Sequence, residues 1–549
     1  MGISNDIKKR EVIYYDVSPF AALSAAAGFN PALLQDFSAV QKVFDQNQVY
    51  NKIQTCEHNY TVLDGSHDGF CTDSENIAVW SLSKSIQNSR LLPEIITLDV
   101  TFGGLQRSPG ISFGFDTKNF VWCDLLRVRW LRGNIILSDK IIEPDSAEYV
   151  YRNTVELYDR VIIDFMRLNM PGRFLKIEYI LFGIIRIFGE GELENLTVSE
   201  GCDPSGRSLF INSAGFTINT KDPLAYIFMK RQPLHIKYGG EHIGTYYIDK
   251  SKRYADRRYA IEAVDKIGVL DSSGDFPGGI YSNIPLENLL TEITGGLFEL
   301  EIEEDLKNIV ISGWLPICRR RAALAQISVA YGVIFDTSRS NVIAVRNINN
   351  LNNSLYNIEK SRVYQSNSIE SEFPCTAIEL TEHNYIAGTA SKELFRDNFT
   401  GERTIKFSEP VSNLSVTNGN IIDSGENYAV ISSVNPNSIC TLSGRPYIDN
   451  QSRIIIETGE VIEGTQERVE IIEDCYLVNK SNSREVAERL YLYYSRKNVF
   501  DGDFLLSEID PEKIGRGVNI EGNISGQIER LTLMPGIKNI RARGIIRGE

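Results

Sequence analysis

Histidine and cysteine are both sparse in this sequence. Five histidines occur in 549 residues. Histidine is the commonest general base and a frequent metal ligand, so few positions are available for acid–base or zinc chemistry. The eight cysteines are widely scattered, and no pair has the Cys-x-x-Cys spacing. This pattern predicts free thiols in a protein made in a reducing cytosol and argues against a disulfide framework.

Long apolar runs and an excess of positive charge are also missing. The most apolar stretch, Tyr179–Gly189, has 11 residues and includes Arg186, whereas a membrane-spanning helix needs about 20. Met1–Asp6 carries no apolar signal core, and we expect no membrane association. Lys and Arg number 57 against 72 Asp and Glu, a net charge of −15. That balance argues against a protein that binds nucleic acid mainly through its phosphates. It leaves open a protein with an acidic surface along which nucleic acid passes without being bound.

Familiar catalytic signatures are few. The sequence has no HExxH zinc motif and no glycine-rich phosphate-binding pattern of the P-loop or dinucleotide type. A glycosidase-type pair of carboxylates needs only spatial proximity, so the abundant Asp and Glu leave that possibility open. No particular residue is indicated, and we therefore predict no enzymatic activity, no catalytic residues, no metal and no cofactor.

Strand signals fill most of the chain. Short runs rich in Ile, Val, Tyr and Phe alternate with Gly, Asn, Asp and Pro, as sandwiches and barrels require. Pro109–Gly110 and Pro171–Gly172 predict turns, and Gly239–Gly240 predicts a tight hairpin. The length suggests roughly three to five domains. We predict a β-sandwich over 58–170 and a second strand-rich region over 171–270.

Helical periodicity interrupts the strands in one region. Apolar residues recur on one face of two predicted helices, which begin after Pro285 and Pro316 and end at Gly295 and Gly332. Short strands flank these helices. The region 271–345 is therefore predicted to be a small α/β unit.

The remaining region, 346–549, is again mostly β and contains one strong helix. Asn482 and Glu485 have the spacing of a capping box, in which each side chain would bond the other residue's backbone N–H. Val486 and Leu490 then recur at the spacing of a buried helical face. We predict a helix that begins at this box.

Three tryptophans in the predicted sandwich are candidates for glycan binding. They are Trp80, Trp122 and Trp130, and sugar rings stack on exposed aromatic side chains. Sandwich cores also need large rings, so a core role is the alternative and the favoured interpretation.

Two further clusters have both a functional and a structural interpretation. Cys56, His58, His67 and Cys71 supply four possible zinc ligands. Their spacing matches no common zinc finger, and a surface loop is favoured. Arg319–Arg321 could bind phosphate, but it opens a helix in an acidic protein, so a solvated basic turn is favoured.

A series of short motifs runs through most of the chain in a distinctive order. They are Leu63–Ser66 (LDGS), Trp80–Ser81, Ser108–Asp116 (SPGISFGFD), Gln232–Asp249, Val264–Asp271, Phe276–Tyr281, Ser312–Ser340, Phe407–Pro410, Glu426–Ile431 and Ser483–Lys497. No single motif is diagnostic. Their joint order resembles the tail proteins of prophages in clostridia-like bacteria, within the family of baseplate or tail-tip hub proteins.

The resemblance implies a trimeric ring that joins the hexameric tail tube to the central spike or tail-tip protein. The implied fold is mainly β (α+β), with two tail-tube-like β-barrel domains per chain, so that three chains present six similar barrels. The first barrel would comprise 1–57 with 171–270. The second would comprise 346–549, with an insertion and the C-terminal helix. An inserted β-sandwich (58–170) and a small α/β domain (271–345) would complete the chain.

The resemblance also implies partners and a location. These are a homotrimer, the tail tube protein, the spike and other baseplate proteins, with DNA passing through an acidic lumen without specific binding. The location would be a virion or a phage-tail-like particle, such as a bacteriocin or contractile injection system, assembled in the bacterial cytoplasm and released by lysis. Two alternatives stay open: a carbohydrate-binding tail protein that attaches the particle to the cell surface through 58–170, and a tail-associated cell-wall hydrolase.

Overall fold

Strands dominate the computed structural model of this protein, so the predicted mainly β fold is confirmed. The structure describes residues 8–17, 25–44, 77–117, 119–220, 228–352, 356–373, 375–434, 438–457, 468–506, 509 and 515–549. No helix in these ranges is long and apolar enough to cross a membrane. The chain forms two compact units: unit 1 comprises Met1–Arg10, Leu193–Lys221 and Ile236–Glu549, and unit 2 comprises Glu11–Glu192 and Asp222–His235.

Unit 2 is built around an antiparallel sheet. The strands of this unit are β1 (Arg10–Val17), β2 (Ala25–Phe29), β3 (Val79–Lys84), β4 (Leu91–Phe115), β5 (Cys123–Arg132), β6 (Ile135–Ile142), β7 (Glu148–Leu168), β8 (Phe174–Leu181) and β9 (Gly183–Phe188). The antiparallel sheet contains β2 to β8. The sheet order is β3-β8-β4-β7-β5-β6, with β2 also paired to β4. Alternate residues of β5, namely Leu126, Val128 and Trp130, enter one hydrophobic core, as the two-residue repeat of a strand requires.

The turn predicted at Pro109–Gly110 is wrong, because both residues lie inside β4. The pairing of β4 with β7 changes register between Ser108 and Gly110. Pro109 has no N–H to donate and so lies where the ladder is interrupted. A side chain at Gly110 would bring its Cβ within 2.2 Å of the Tyr151 carbonyl oxygen. The glycine therefore serves close strand packing rather than a turn.

The first strands of unit 1 are β10 (Leu193–Gly201), β11 (Ser213–Asn219), β12 (Pro233–Tyr238), β13 (Glu241–Ala255) and β14 (Arg258–Val264). They lie in one antiparallel sheet, in which β11 has β10 and β14 as neighbours. The predicted hairpin at Gly239–Gly240 is confirmed, with φ values of 61° and 88° that glycine adopts without strain. The turn at Pro171–Gly172 of unit 2 is confirmed as well, between β7 and β8.

The α/β elements follow in the predicted order. They are α1 (Lys266–Asp271), β15 (Asp275–Phe276), β16 (Gly279–Pro285), α2 (Leu286–Thr294), β17 (Leu300–Ile302), β18 (Val310–Leu315), β19 (Cys318–Arg319), α3 (Arg320–Tyr331), β20 (Val333–Asp336) and β21 (Ile343–Asn347). Gly295 and Gly332 end α2 and α3 in the left-handed conformation, which confirms both predicted helix ends.

The C-terminal region adds further strands and one helix to unit 1. They are β22 (Tyr356–Ile358), β23 (Ser368–Ser371), β24 (Cys375–Glu382), β25 (Tyr385–Ala387), β26 (Lys392–Asp397), β27 (Gly401–Lys406), β28 (Val411–Thr417), β29 (Asn420–Gly425), β30 (Tyr428–Ser433), β31 (Cys440–Asp449), β32 (Ser452–Glu457), β33 (Arg468–Ile472), α4 (Ser483–Tyr494), β34 (Asn498–Leu506), β35 (Gly517–Ile520), β36 (Ile524–Pro535) and β37 (Ile540–Gly548). Strands β32, β24 and β33 form a small sheet in that order, and β31 pairs with β25, β26 and β28.

Helix α4 is present as predicted, but its capping box is wrong. The Asn482 side chain makes no capping hydrogen bond. Its Oδ1 instead accepts from the Asn479 backbone N–H at 2.9 Å, and its Nδ2 donates to the Leu477 carbonyl at 3.1 Å. The amide holds the preceding turn, and this local competition removes it from the helix end.

One sheet joins the early and late strands of unit 1. Within unit 1 its strand order runs β23-β34-β37-β36-β10-β11-β14-β13-β12. At the junction, β10 pairs antiparallel with β36, from Val198 opposite Leu533 to Gly201 opposite Arg530. We call this junction the seam. The two predicted barrel regions, 1–57 with 171–270 and 346–549, therefore contribute neighbouring strands, β10 and β36, to one sheet. Their division into two barrels stays a prediction.

Candidate assembly surface

The three candidate glycan-binding tryptophans lie in unit 2. Trp130 and Trp80 are buried, and the Lys176 ammonium lies 4.1 Å from the ring centre of Trp80. Trp122 is partly buried, and its indole N–H donates to the Pro144 carbonyl at 2.9 Å. These positions favour the core interpretation, while glycan binding through the three rings stays a prediction.

Of the two other clusters considered in the sequence, the structure describes the arginine turn but not the possible zinc ligands. Arg319 and Arg321 pair with Asp271, each at 3.2 Å, and Arg320 donates to the carbonyl of Ile293 at the end of α2. The basic turn thus joins helices. The possible zinc ligands between 56 and 71 lie outside the described residues, as does the LDGS motif. Among the described residues, no group of three His, Cys, Asp or Glu could hold a metal ion.

The segment Gly110–Gly114 has the Gly-x-Ser-x-Gly spacing of a serine-hydrolase nucleophile elbow. An elbow places its serine on a sharp turn between a strand and a helix. Here Ser112 lies within β4, is fully buried, and donates to the Gly183 carbonyl at 2.9 Å. The segment is therefore part of a buried strand, and Ser112 does not have the exposed position that a nucleophilic serine needs.

A buried ion pair lies beside the seam in unit 1. The Arg339 guanidinium donates to the Glu200 carboxylate and, at 3.1 Å, to the Ile243 carbonyl. Both side chains are almost fully removed from solvent, with exposed fractions of 4% and 0%. Glu200 belongs to β10 and lies opposite Leu531 of β36. The pair therefore fastens the loop after β20 to the strand that forms the seam.

A hydrogen-bonded network lies in the same part of unit 1. Asp265 accepts from the Thr337 hydroxyl at 2.6 Å and from the Gly268 backbone N–H at 2.9 Å. The Asn212 amide donates to the Thr337 hydroxyl at 3.0 Å. Burial raises the pKa of Asp265 to about 6. The network caps α1 and fixes the loop after β20 to the residue that precedes β11, so these polar groups support packing.

Two arginines from different strands converge on Glu372. Arg547 of β37 and Arg468 of β33 approach its carboxylate at 2.8 and 2.6 Å. Hydrogen bonding to the Arg547 guanidinium, together with Arg468, lowers the pKa of Glu372 to about 2. The charged carboxylate therefore helps to hold β33 and β37 in the native arrangement.

We expect a Glu372→Gln variant to unfold at a lower temperature than the parent at neutral pH. A depressed pKa stabilises the fold above the ordinary glutamate pKa, and that contribution is lost as pH falls through the folded-state value. The difference should shrink between about pH 4.5 and pH 2, as measured by thermal unfolding over a pH series. Glu370→Gln, at an exposed position of the same strand region, is the control. A difference that stays constant down to pH 2.5 would contradict the assignment.

An apolar edge strand is the clearest unpartnered surface of unit 2. Strand β6 lies at the end of its sheet, pairs with β5, and has no second strand partner among the residues that the structure describes. Its exposed side chains include Ile135, Ile136, Leu137 and Ile141, and Ile141 is 67% exposed. Unpaired backbone and large exposed apolar side chains both mark surfaces that other chains cover. We call this strand the β6 edge.

Comparisons with protein-family models and with curated proteins find no match to the chain. Solved structures that match part of it include the prophage tail protein gp18 of Listeria monocytogenes EGD-e, with 14% identity, TM-score 0.40, and coverage of 66% of this chain and 92% of that chain. A tail protein of Neisseria meningitidis MC58 matches with 8% identity, TM-score 0.40, and coverage of 66% and 94%. The E. coli c3393 protein, a component of the type VI secretion system, matches with 9% identity, TM-score 0.32, and coverage of 65% and 74%. The structural neighbours of this chain thus include phage tail proteins and a secretion-system component.

Proposed function

We propose that this protein is a structural component of a phage tail or phage-tail-like particle, and that it forms a trimeric hub between the hexameric tail tube and the central spike. The observation that carries the proposal is the seam, in which β10 and β36 join two distant strand-rich regions into one sheet. The motif order described above indicates the same family. The role is architectural and involves no catalysis.

The seam supports the trimeric hub through symmetry. A ring of three chains can meet a six-fold tube if each chain presents two similar surfaces. In this chain the two strand-rich regions are already joined side by side through backbone hydrogen bonds between β10 and β36. Similar pairing between neighbouring copies would close the ring, because edge strands are completed by other strands.

The net charge and the β6 edge fit the proposed environment. A net charge of −15 would keep DNA moving through a lumen without trapping its phosphates. The β6 edge offers apolar area for contact with another copy or with a tube, spike or baseplate protein. The proposed location is the tail of a virion or related particle, assembled in the cytoplasm and released by lysis.

Light scattering of the purified protein over a concentration series tests the proposed trimer. We expect a species near three chains, 3 × 61.8 or about 185 kDa. Electron microscopy of that species should show three-fold rings. A single-chain mass at every concentration, together with no ring on addition of a tail tube protein, would contradict the hub.

A paired substitution on the β6 edge tests whether it takes part in assembly. We expect Ile136→Lys with Ile141→Lys to reduce the trimeric species, because two charges would enter a buried apolar contact. Ile422→Lys, at an exposed isoleucine of β29, is the control and should leave the mass unchanged. Equal masses for the β6 variant and the parent would show that the β6 edge takes no part in the contact between copies.

A further inference from the structure

A lysine, an aspartate and a glutamate lie buried together in unit 2. Lys176 of β8 is 1% exposed, Asp116 directly after β4 is fully buried, and Glu178 of β8 is 7% exposed. Residues of these types are rarely buried unless they are paired. We propose that Lys176 and Asp116 form an intramolecular isopeptide bond, in which the lysine Nζ is joined to the aspartate Cγ and water is released. The inference does not depend on the proposed tail function.

Neighbouring strands bring the two reacting groups together. Strand β8 lies between β3 and β4, and on the β3 side Lys176 pairs with Trp80. On the β4 side, Ile177 pairs with Phe115, the last residue of that strand. The next residue is Asp116, and its Oδ2 lies 3.5 Å from the Lys176 Nζ. Reacting atoms in a near-attack arrangement are about 3–3.5 Å apart, so a small side-chain rotation brings the amine to the carboxyl carbon.

An aromatic ring shields the amine. The Lys176 Nζ lies 4.1 Å from the ring centre of Trp80, and the Trp80 ring in turn contacts the Phe174 ring, with centres 6.3 Å apart. A ring face attracts an ammonium group without binding its nitrogen to a fixed acceptor. The buried rings also keep bulk water away, which favours condensation over hydrolysis of the product.

Glu178 is the proton carrier of this site. Its Oε1 accepts from the Thr117 backbone N–H at 3.0 Å and from the Thr117 hydroxyl at 2.8 Å, which fixes the carboxyl group beside Asp116. Burial raises the pKa of Glu178 to about 7, and the nearby Asp116 carboxylate adds to the rise. At neutral pH the carboxyl group therefore exists in both forms, so it can take a proton from one group and give it to another.

The reaction balances without an added reagent. One proton passes from the Lys176 ammonium to the Asp116 carboxylate through Glu178, giving a neutral amine and a neutral carboxyl group. The amine nitrogen attacks Cγ, the bond from Cγ to the hydroxyl oxygen breaks, and the hydroxyl leaves as water with a second proton from the nitrogen. No electron is transferred, and Glu178 returns to its first state. The neutral amide replaces two buried charges, which are costly to keep away from water.

Intact-mass spectrometry of the purified full-length protein, denatured and reduced, tests the proposal. We expect a mass below that of the unlinked chain by one molecule of water. Proteolysis should yield a fragment in which the segments around Asp116 and Lys176 are joined. Lys176→Met keeps an unbranched apolar side chain but lacks the amine, so it should have the mass of the unlinked chain. If this variant fails to fold, the mass and the fragments of the parent protein still decide the outcome.

Glu178→Gln tests the proton carrier. The glutamine keeps a carbonyl oxygen that can accept from Thr117, but it cannot carry a proton. In a time course of cell-free synthesis, the variant should form the joined fragment about 100-fold more slowly than the parent. Its circular dichroism spectrum should match that of the parent, which separates proton transfer from a purely structural role. An equal rate would overturn the role of Glu178.

Lys307→Met is the matched control. Lys307 also pairs with a carboxylate, that of Glu304 at 2.7 Å, but both side chains are exposed, so this variant should keep the loss of water. A parent mass equal to that of the unlinked chain would overturn the proposal and leave Lys176 and Asp116 as an ion pair. A loss of water that persists in Lys176→Met would also overturn it, because cyclisation of an aspartate onto its own backbone releases water too.

Discussion

Replacing Leu490 with alanine should destabilise unit 1 by about 2–5 kcal/mol, because the substitution removes buried methyl groups and leaves a cavity that the surroundings fill only partly. Leu490 is fully buried in the core that α4 shares with α3 and β24. Scanning calorimetry should show a shift in the transition of unit 1. Unit 2 has a core of its own, and its transition should move little.

The same helix supplies the control. Leu492 lies two residues further along α4 and is 66% exposed, so Leu492→Ala loses the same atoms with almost no change in burial. Its effect should stay within about 0.5 kcal/mol. Comparable losses in the two variants would mean that α4 buries a different face from the one described.

The second large effect is expected at the buried ion pair beside the seam. Glu200→Ala leaves the Arg339 guanidinium buried without its carboxylate, which should cost about 3–5 kcal/mol. Urea unfolding followed by circular dichroism would measure the shift in the midpoint. Hydrogen exchange should show the loss of protection in β10 and β36, the strands that the pair supports.

Two further variants separate the buried charge from the lost packing. Glu200→Ala combined with Arg339→Met removes both charges and should recover part of the loss, since an apolar replacement of a buried pair is often tolerated. Glu262→Ala breaks the exposed pair with Lys250, whose charged atoms are 3.7 Å apart, and should cost less than about 1 kcal/mol. A Glu200→Ala effect as small as that of Glu262→Ala would contradict the buried pair.

Local sequence signals were sufficient to predict turns and helix ends where only one residue type readily adopts the required backbone conformation. Gly295 and Gly332 end helices, and Gly239–Gly240 turns a hairpin, because these positions need positive φ values. The signal at Pro109–Gly110 has a second meaning, since small residues and a missing N–H also suit an interrupted strand ladder. Asn482 similarly had a competing backbone partner nearby. Neighbouring strands decide between such meanings, and they are far away in sequence.

The long-range features were beyond sequence patterns. Nothing in the composition of β10 or β36 indicates that they pair, because strand partners are chosen by the whole packing arrangement. Glu200 and Arg339 look like surface charges in the sequence, and only the fold buries them together.

The seam has a consequence for synthesis. Gly201 and Arg530 pair across it and are 530 − 201 = 329 residues apart. At about 5–20 residues per second, a ribosome takes roughly 15 to 65 seconds to travel that distance. Throughout that interval the nascent chain carries an open edge at β10, a template for pairing with the wrong strand. Chains released before β36 is made would keep that edge unpaired. Premature termination should therefore yield aggregation-prone fragments rather than smaller functional proteins.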